Sequence, residues 1–271
     1  MQIITLSAIK GGVGKTTLAY NFGEWLAQQG KHILFIDLDH QSNLTQTYSI
    51  YDTEKTVANI FMEHNDKDRG LIHTINDHIS IIPGDMHLDD VVRDLENKTN
   101  KNMLLYLWLY DNYHDMGLDK IDYIIIDTHP DFGTATKNAV IISDAILSPI
   151  TPSEHGYNAK FNLTERVNEL RKEAIDFTSR QSYVTAKLWF IANMVRHNTR
   201  SSHELEQAIA NDGQVIATVP EKELFNRTTL DRQPLSKLQN DRGVYLRNRL
   251  FFEQMEKTFA TIAHRIETKG E

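Results

Sequence analysis

The chain has 271 residues, 40% of them hydrophobic, with 29 Lys and Arg against 37 Asp and Glu and a formal net charge of −8. That length fits one or two domains with a sizeable core, and the acidic balance excludes a surface coated in positive charge while leaving room for a local basic patch. No cysteine is present, which excludes disulfides, thiolate metal sites and iron–sulfur clusters; with no apolar run near the roughly 18–20 residues of a membrane span and no signal-peptide pattern, the expectation is a cytoplasmic protein.

Gln2 to Ala8 is a short apolar run leading into a glycine-rich loop, which predicts a buried first strand. Thr16 to Gln29 follows with Leu18, Phe22, Trp25 and Leu26 at helical spacing, and Gly30 stops it. His32 to Leu38 predicts a second buried strand, Ser80 to Pro83 a short third, and Tyr123 to Asp127 a central one. Asn97 to Asn102 reads as a loop, and Met103 to Tyr113 as an aromatic-rich helix whose tyrosines and tryptophan serve core or dimer contact. Ala145 to Ile150, Lys187 to Ala192 and Val215 to Val219 complete the strands, and Tyr245 to Ile266 predicts a last helix with Leu246, Leu250, Met255, Phe259, Ile262 and Ile266 on its apolar face. Continuous apolar strands alternating with helices predict an α/β fold: a mostly parallel central sheet with helices on both faces, in a single domain over residues 1–271. The first strand begins at residue 2, so no N-terminal DNA-reading domain is expected.

The loop reads Lys10-Gly11-Gly12-Val13-Gly14-Lys15-Thr16-Thr17. Gly11, Gly12 and Gly14 let the backbone curl so that amides point inward, Lys15 neutralises phosphate charge, and Thr16 offers a hydroxyl to Mg²⁺ at a helix start. The common phosphate-loop pattern wants glycine where Ile9 stands, and a second lysine, Lys10, opens the motif. In this it resembles the deviant Walker A loop of the ParA/MinD class of P-loop ATPases. The resemblance implies ATP and ADP as ligands with Mg²⁺ as cofactor, and a nucleotide-sandwich homodimer in which Lys10 reaches the partner's phosphates.

Ligands of parallel α/β sheets bind beyond the carboxyl ends of strands, where two acidic clusters fall. Asp37-Leu38-Asp39-His40-Gln41-Ser42-Asn43 resembles the ParA segment Asp-x-Asp-Pro-Gln-Gly-Asn, with His40 and Ser42 in place of proline and glycine. By that resemblance Asp39 orients the attacking water and Asp37 lies nearer the Mg²⁺ shell. Asp127-Thr128-His129-Pro130 is similar to the Walker B strand end, with Asp127 facing the Mg²⁺ shell and His129 a tolerated replacement of proline. The expected set is therefore Lys10, Lys15 and Asp39 for catalysis, residues 10–17 for nucleotide, and Thr16, Asp37 and Asp127 for metal.

Family members hold adenine after two later strands, where Asn193 and Pro220 stand here. Once ATP has dimerised them, they bind DNA without sequence preference through basic residues of the C-terminal half. Lys222, Arg227, Arg232, Lys237, Arg242, Arg247 and Arg249 are the candidates, with Arg196 and Arg200 beside them. The resemblance thus implies a nucleoid-associated DNA-partitioning ATPase of slow intrinsic turnover, stimulated by a ParB-like centromere-binding partner, without membrane attachment. A MinD-like membrane-associated spatial regulator is the alternative, and an ATP-dependent small-molecule ligase or kinase on the same scaffold a third reading. Iron–sulfur relatives need the cysteines this chain lacks, and tyrosine-kinase relatives a tyrosine-rich tail, whereas no tyrosine follows Tyr245.

Overall fold

The structure, a computed structural model, describes residues 1–51, 54–62, 71–196 and 199–268, with residues 154–157 by backbone alone. Runs of Ile, Leu, Val and Phe become strands because branched side chains fit a pleated surface buried on both sides. In chain order the elements are β1 (Gln2–Leu6), α1 (Lys15–Gln28), β2 (Ile33–Leu38), α2 (Asn43–Thr47), α3 (Ala58–Phe61), β3 (His73–Thr74), β4 (Ile79–Ile82), α4 (Leu88–Asp94) and α5 (Leu104–Asn112). There follow β5 (Tyr123–Thr128), α6 (Thr134–Ile142), β6 (Ala145–Ile150), α7 (Glu154–Glu173), β7 (Lys187–Val195), α8 (Arg200–Ile209), β8 (Val215–Pro220), α9 (Glu223–Leu230), α10 (Leu235–Leu238), α11 (Arg242–Arg247) and α12 (Arg249–Glu267).

The strands form one sheet of eight in the order β3-β4-β2-β5-β1-β6-β7-β8. All neighbours run parallel except β3 and β4. Successive residues of each strand feed opposite faces. Ile33 and Phe35 join the layer made with α1, α9, α10, α11 and α12, while Leu34, Ile36 and Leu38 join the layer made with α3, α4 and α5. A third cluster covers β6 and β7 with α6, α7 and α8. Helices thus flank both faces, as expected. Gly23 brings α1 close to the sheet: a Cβ there would fall 2.2 Å from Phe35 Cζ.

One strand lies beyond the sequence pattern and one expectation is corrected. The edge strand β3 carries no apolar run; it pairs antiparallel with β4 through His73–Ile81 and Thr74–Ser80. The last helix does not run unbroken from Tyr245: the chain kinks at Asn248 (φ −126°, ψ 23°), ending α11 and starting α12. The kink turns Leu246 and Leu250 outward, 63% and 81% exposed, and the buried face becomes Phe251, Phe252, Met255, Phe259, Ile262 and Ile266. That face packs on the sheet and α1, where Trp25 Nε1 donates to Glu256 Oε2 at 2.7 Å.

Candidate nucleotide site

Strand register assembles the site. β5 lies between β2 and β1, with Asp127 opposite both Asp37 and Leu6. Two carboxylates and the start of the glycine loop therefore emerge together at the carboxyl edge of the sheet. Gly12 (φ 72°) and Gly14 (φ 90°) take left-handed conformations that a side chain disfavours, which curls the loop before α1. Asn193 from the end of β7 braces it: Nδ2 donates to Val13 O at 2.7 Å, so close that a Cβ on Gly14 would fall 2.5 Å from that nitrogen.

Lys15 is buried in its first turn, 6% exposed. Burial lowers its affinity for a proton, and the charges of Asp127, Asp39 and Asp131 oppose that. Thr16 Oγ1 donates to Asp127 Oδ2 at 2.6 Å, while Asp127 Oδ1 is buried with no hydrogen-bond partner among the described residues. Burial pushes the Asp127 carboxyl up to about 8, with the charge of Asp37 adding to the effect. Burial likewise pushes Asp37 up to about 6. An orphaned carboxylate oxygen beside a hydroxyl, in a site with more acid than base, is a donor set suited to a hard divalent cation. Thr16 and Asp127 thus fit Mg²⁺. Asp37 is differently employed: Oδ1 accepts from Asp39 N at 3.1 Å, and Oδ2 from the amide and hydroxyl of Thr45 at 2.9 and 2.7 Å. It ties the segment after β2 to α2.

Asp39 is 5% exposed, and its Oδ1 accepts from Gln41 N at 2.9 Å. The same oxygen lies 3.0 Å from His129 Nδ1. The rings of His129 and His40 meet with centroids 4.2 Å apart, and His40 Nδ1 lies 3.1 Å from Asp89 Oδ2. The sequence treats His129 as a replaced proline; contact across 90 positions is what it could not show. Ser42 takes the left-handed conformation (φ 51°, ψ 34°) where the family segment carries glycine.

Beside the loop opens a cavity of about 620 Å³, within the range of cofactor sites. Gly14, Thr17, Asn193, Pro220, Lys222 and Phe251 are among its lining residues. Asn193 and Pro220 thus share one cavity beside the loop, and the Asn193 amide also serves the loop. Lys10 is exposed, its Nζ 3.5 Å from Ser153 Oγ.

The basic candidates divide. Arg227 pairs with Asp231 at 3.0 Å, Arg249 with Glu253 at 2.7 Å, and Arg200 with Glu204 at 2.8 Å. Arg196 grips Glu221 with two nitrogens. Arg232 bonds Ser49 Oγ and Tyr51 Oη, and Lys222 lies over the Phe251 ring. Lys237, Arg242 and Arg247 belong to α10 and α11, where the Arg247 Nε donates to Gly243 O at 3.0 Å.

Comparison with known proteins adds an independent line. A family model described as AAA domain matches residues 1–179. An uncharacterized protein of Mycobacterium tuberculosis is 29% identical over 173 residues, covering 63% of this chain and 53% of that one. The chain therefore spans about half the length of that relative. The virulence plasmid ParA family protein pGP5-D of Chlamydia trachomatis is 34% identical over 155 residues, covering 56% of this chain and 57% of that one. Among solved structures, a putative plasmid partition protein from Borrelia burgdorferi bound to AMPPNP superposes with a TM-score of 0.75 over 94% of this chain and 98% of that one, at 23% identity. At that identity the likeness speaks for the fold.

Proposed function

Because this chain belongs to the ParA family of P-loop proteins, we propose that it is a Mg²⁺-dependent ATPase of plasmid or chromosome partitioning. The observation that carries the reading is the join between the glycine loop and the Walker B strand: buried Lys15 with Thr16 Oγ1 bonded to Asp127, whose second oxygen has no hydrogen-bond partner among the described residues. In the proposed cycle the curled amides of residues 11–16 and Lys15 hold the triphosphate, and Thr16 and Asp127 hold Mg²⁺, with Asp37 anchoring the adjoining turn. Bound Mg²⁺ supplies charge neutralisation at the phosphates. Asp39 accepts a hydrogen bond from the attacking water, and the base lies in the cavity beside Asn193 and Pro220. Lys10, exposed at the loop, reaches the phosphates of a second copy.

DNA binding by the ATP dimer is part of the same proposal. Residues 221–249 carry seven basic against four acidic side chains in a chain that is acidic overall. Phosphate contacts of that kind are salt-sensitive and blind to sequence. Arg227 and Arg249 pair directly with Asp231 and Glu253, whereas Lys237 and Arg247 feel Glu24 and Asp241 through charge alone, which leaves Lys237, Arg242 and Arg247 better placed. A ParB-like partner that stimulates hydrolysis completes the reading. The MinD-like alternative is disfavoured because α12 buries its apolar face in the domain, which leaves that face unavailable to a membrane surface.

The test is DNA retention with ATP, ADP or no nucleotide across a salt series. Binding with ATP alone, weakening steeply as salt rises, is the expected outcome. Equal binding in all three states, or pelleting with anionic vesicles in place of DNA, refutes the reading.

A further inference from the structure

Where the family segments carry prolines, this chain carries His40 and His129, and the fold brings both imidazoles against Asp39. One donor atom from each of the three lies within 4.8 Å of the others. Asp39 is buried and the two rings are partly open to solvent, with side-chain exposures of 24% for His40 and 29% for His129. We propose that Asp39, His40 and His129 form a second metal site, separate from the Thr16–Asp127 pair, for a borderline transition ion such as Zn²⁺.

The donor chemistry separates the two sites. Thr16 and Asp127 offer oxygen alone, which suits Mg²⁺, whereas two imidazoles and one carboxylate favour an ion late in the first transition row. Three protein donors with the outer side open leave a position for water, the arrangement of an open zinc site. Ligation at about 2.0–2.2 Å draws tetrahedral donors to about 3.4 Å from one another. The partly exposed rings reach that spacing by side-chain rotation, and Asp39 is already positioned by the Gln41 amide. Asp89 Oδ2 stands 3.1 Å from His40 Nδ1 without hydrogen-bonding it, close enough to become the outer carboxylate that commonly orients a ligating histidine once the ring turns onto an ion through Nε2, which now faces the Gln41 side-chain amide at 3.3 Å. An ion here occupies the carboxylate assigned above to the attacking water, so metal supply restrains turnover. That coupling rests on the proposed role of Asp39; the site itself does not.

Visible absorption with Co²⁺ as probe reads the site without any turnover. The full chain is titrated with Co²⁺ without nucleotide, in millimolar Mg²⁺ to saturate the oxygen site. One equivalent of Co²⁺ is expected to give the intense visible bands of a four- or five-coordinate ion, bleached by one equivalent of Zn²⁺. His129→Asn and His40→Asn each weaken binding at least tenfold. His78→Asn, in the His32–His78 ring pair whose centroids lie 5.1 Å apart, leaves the bands intact. Thermal unfolding of each variant confirms a folded chain, and Asp39→Asn provides a third test at the remaining donor. Absence of the bands in the unaltered chain overturns the proposal, as do bands that persist in the folded His40 and His129 variants.

Discussion

Asp39 is held by the Gln41 amide and by His129 on one oxygen, an arrangement that aims its carboxyl group. Replacing Asp39 with alanine is expected to leave ATP binding near its original strength and to lower phosphate release by about 10²-fold or more, the usual scale for a lost proton acceptor. Retention of the variant on DNA with ATP accompanies the loss; normal phosphate release removes Asp39 from the mechanism. Three positions on, Ser42 pays a steric cost for its left-handed backbone. Ser42→Gly removes roughly 1 kcal/mol of that strain, partly offset by the greater freedom of glycine in the unfolded chain. The melting temperature should rise by roughly 1–3 °C in calorimetry. A fall would mean that the Ser42 hydroxyl matters more than its backbone.

Helix α1 is the element on which the site turns, since it begins with Lys15 and Thr16 and lies along the sheet at Gly23. Gly23→Ala places a methyl 2.2 Å from Phe35 Cζ and 3.1 Å from Ile125 Cδ1, both on fully buried residues. Overpacking of this kind costs about 1–3 kcal/mol, more than the roughly 1 kcal/mol by which alanine favours a helix. The denaturant midpoint should fall, and Phe35→Leu in the same chain should recover part of the loss. Much of this level was legible in the residues. β6 begins and ends where its apolar run does, and the other interior strands agree within a few positions, because strands buried on both faces must be apolar throughout. The two-residue β3 was not legible, since an edge pairing so short needs no apolar pattern. Nor was the kink at Asn248, because helical spacing continues on both sides of it and the register changes. At the site, motif spacing pointed to Lys15, Thr16 and Asp127, and strand register brings Asp127 to the Thr16 hydroxyl. The His40–His129 contact and the Asn193 brace join distant segments through tertiary packing.

For the molecule as a whole, the site sets Asp39, Asp127 and Asp131 near one buried lysine, and burial holds the Asp127 carboxyl up at about 8, a cost of ionisation that a bound cation relieves. Mg·ATP should therefore raise the melting temperature of the intact chain in proportion to the logarithm of its concentration above Kd. Lys15→Ala should abolish that rise and nucleotide binding by calorimetry together. A variant that still binds at micromolar concentration would place the phosphates elsewhere.

Strand β1 has its hydrogen-bonding neighbours in β5 and β6, and the loop it feeds is pinned by Asn193. During synthesis β1 thus waits with both edges bare until more than a hundred further residues have been made. Such late, non-local pairing is slow and exposes apolar surface meanwhile, so chaperone demand during synthesis follows from the strand order. Nascent chains halted short of Asn193 lack the brace for the glycine loop, and stalled-chain crosslinking with a photoreactive ATP should first succeed once that residue has cleared the exit tunnel.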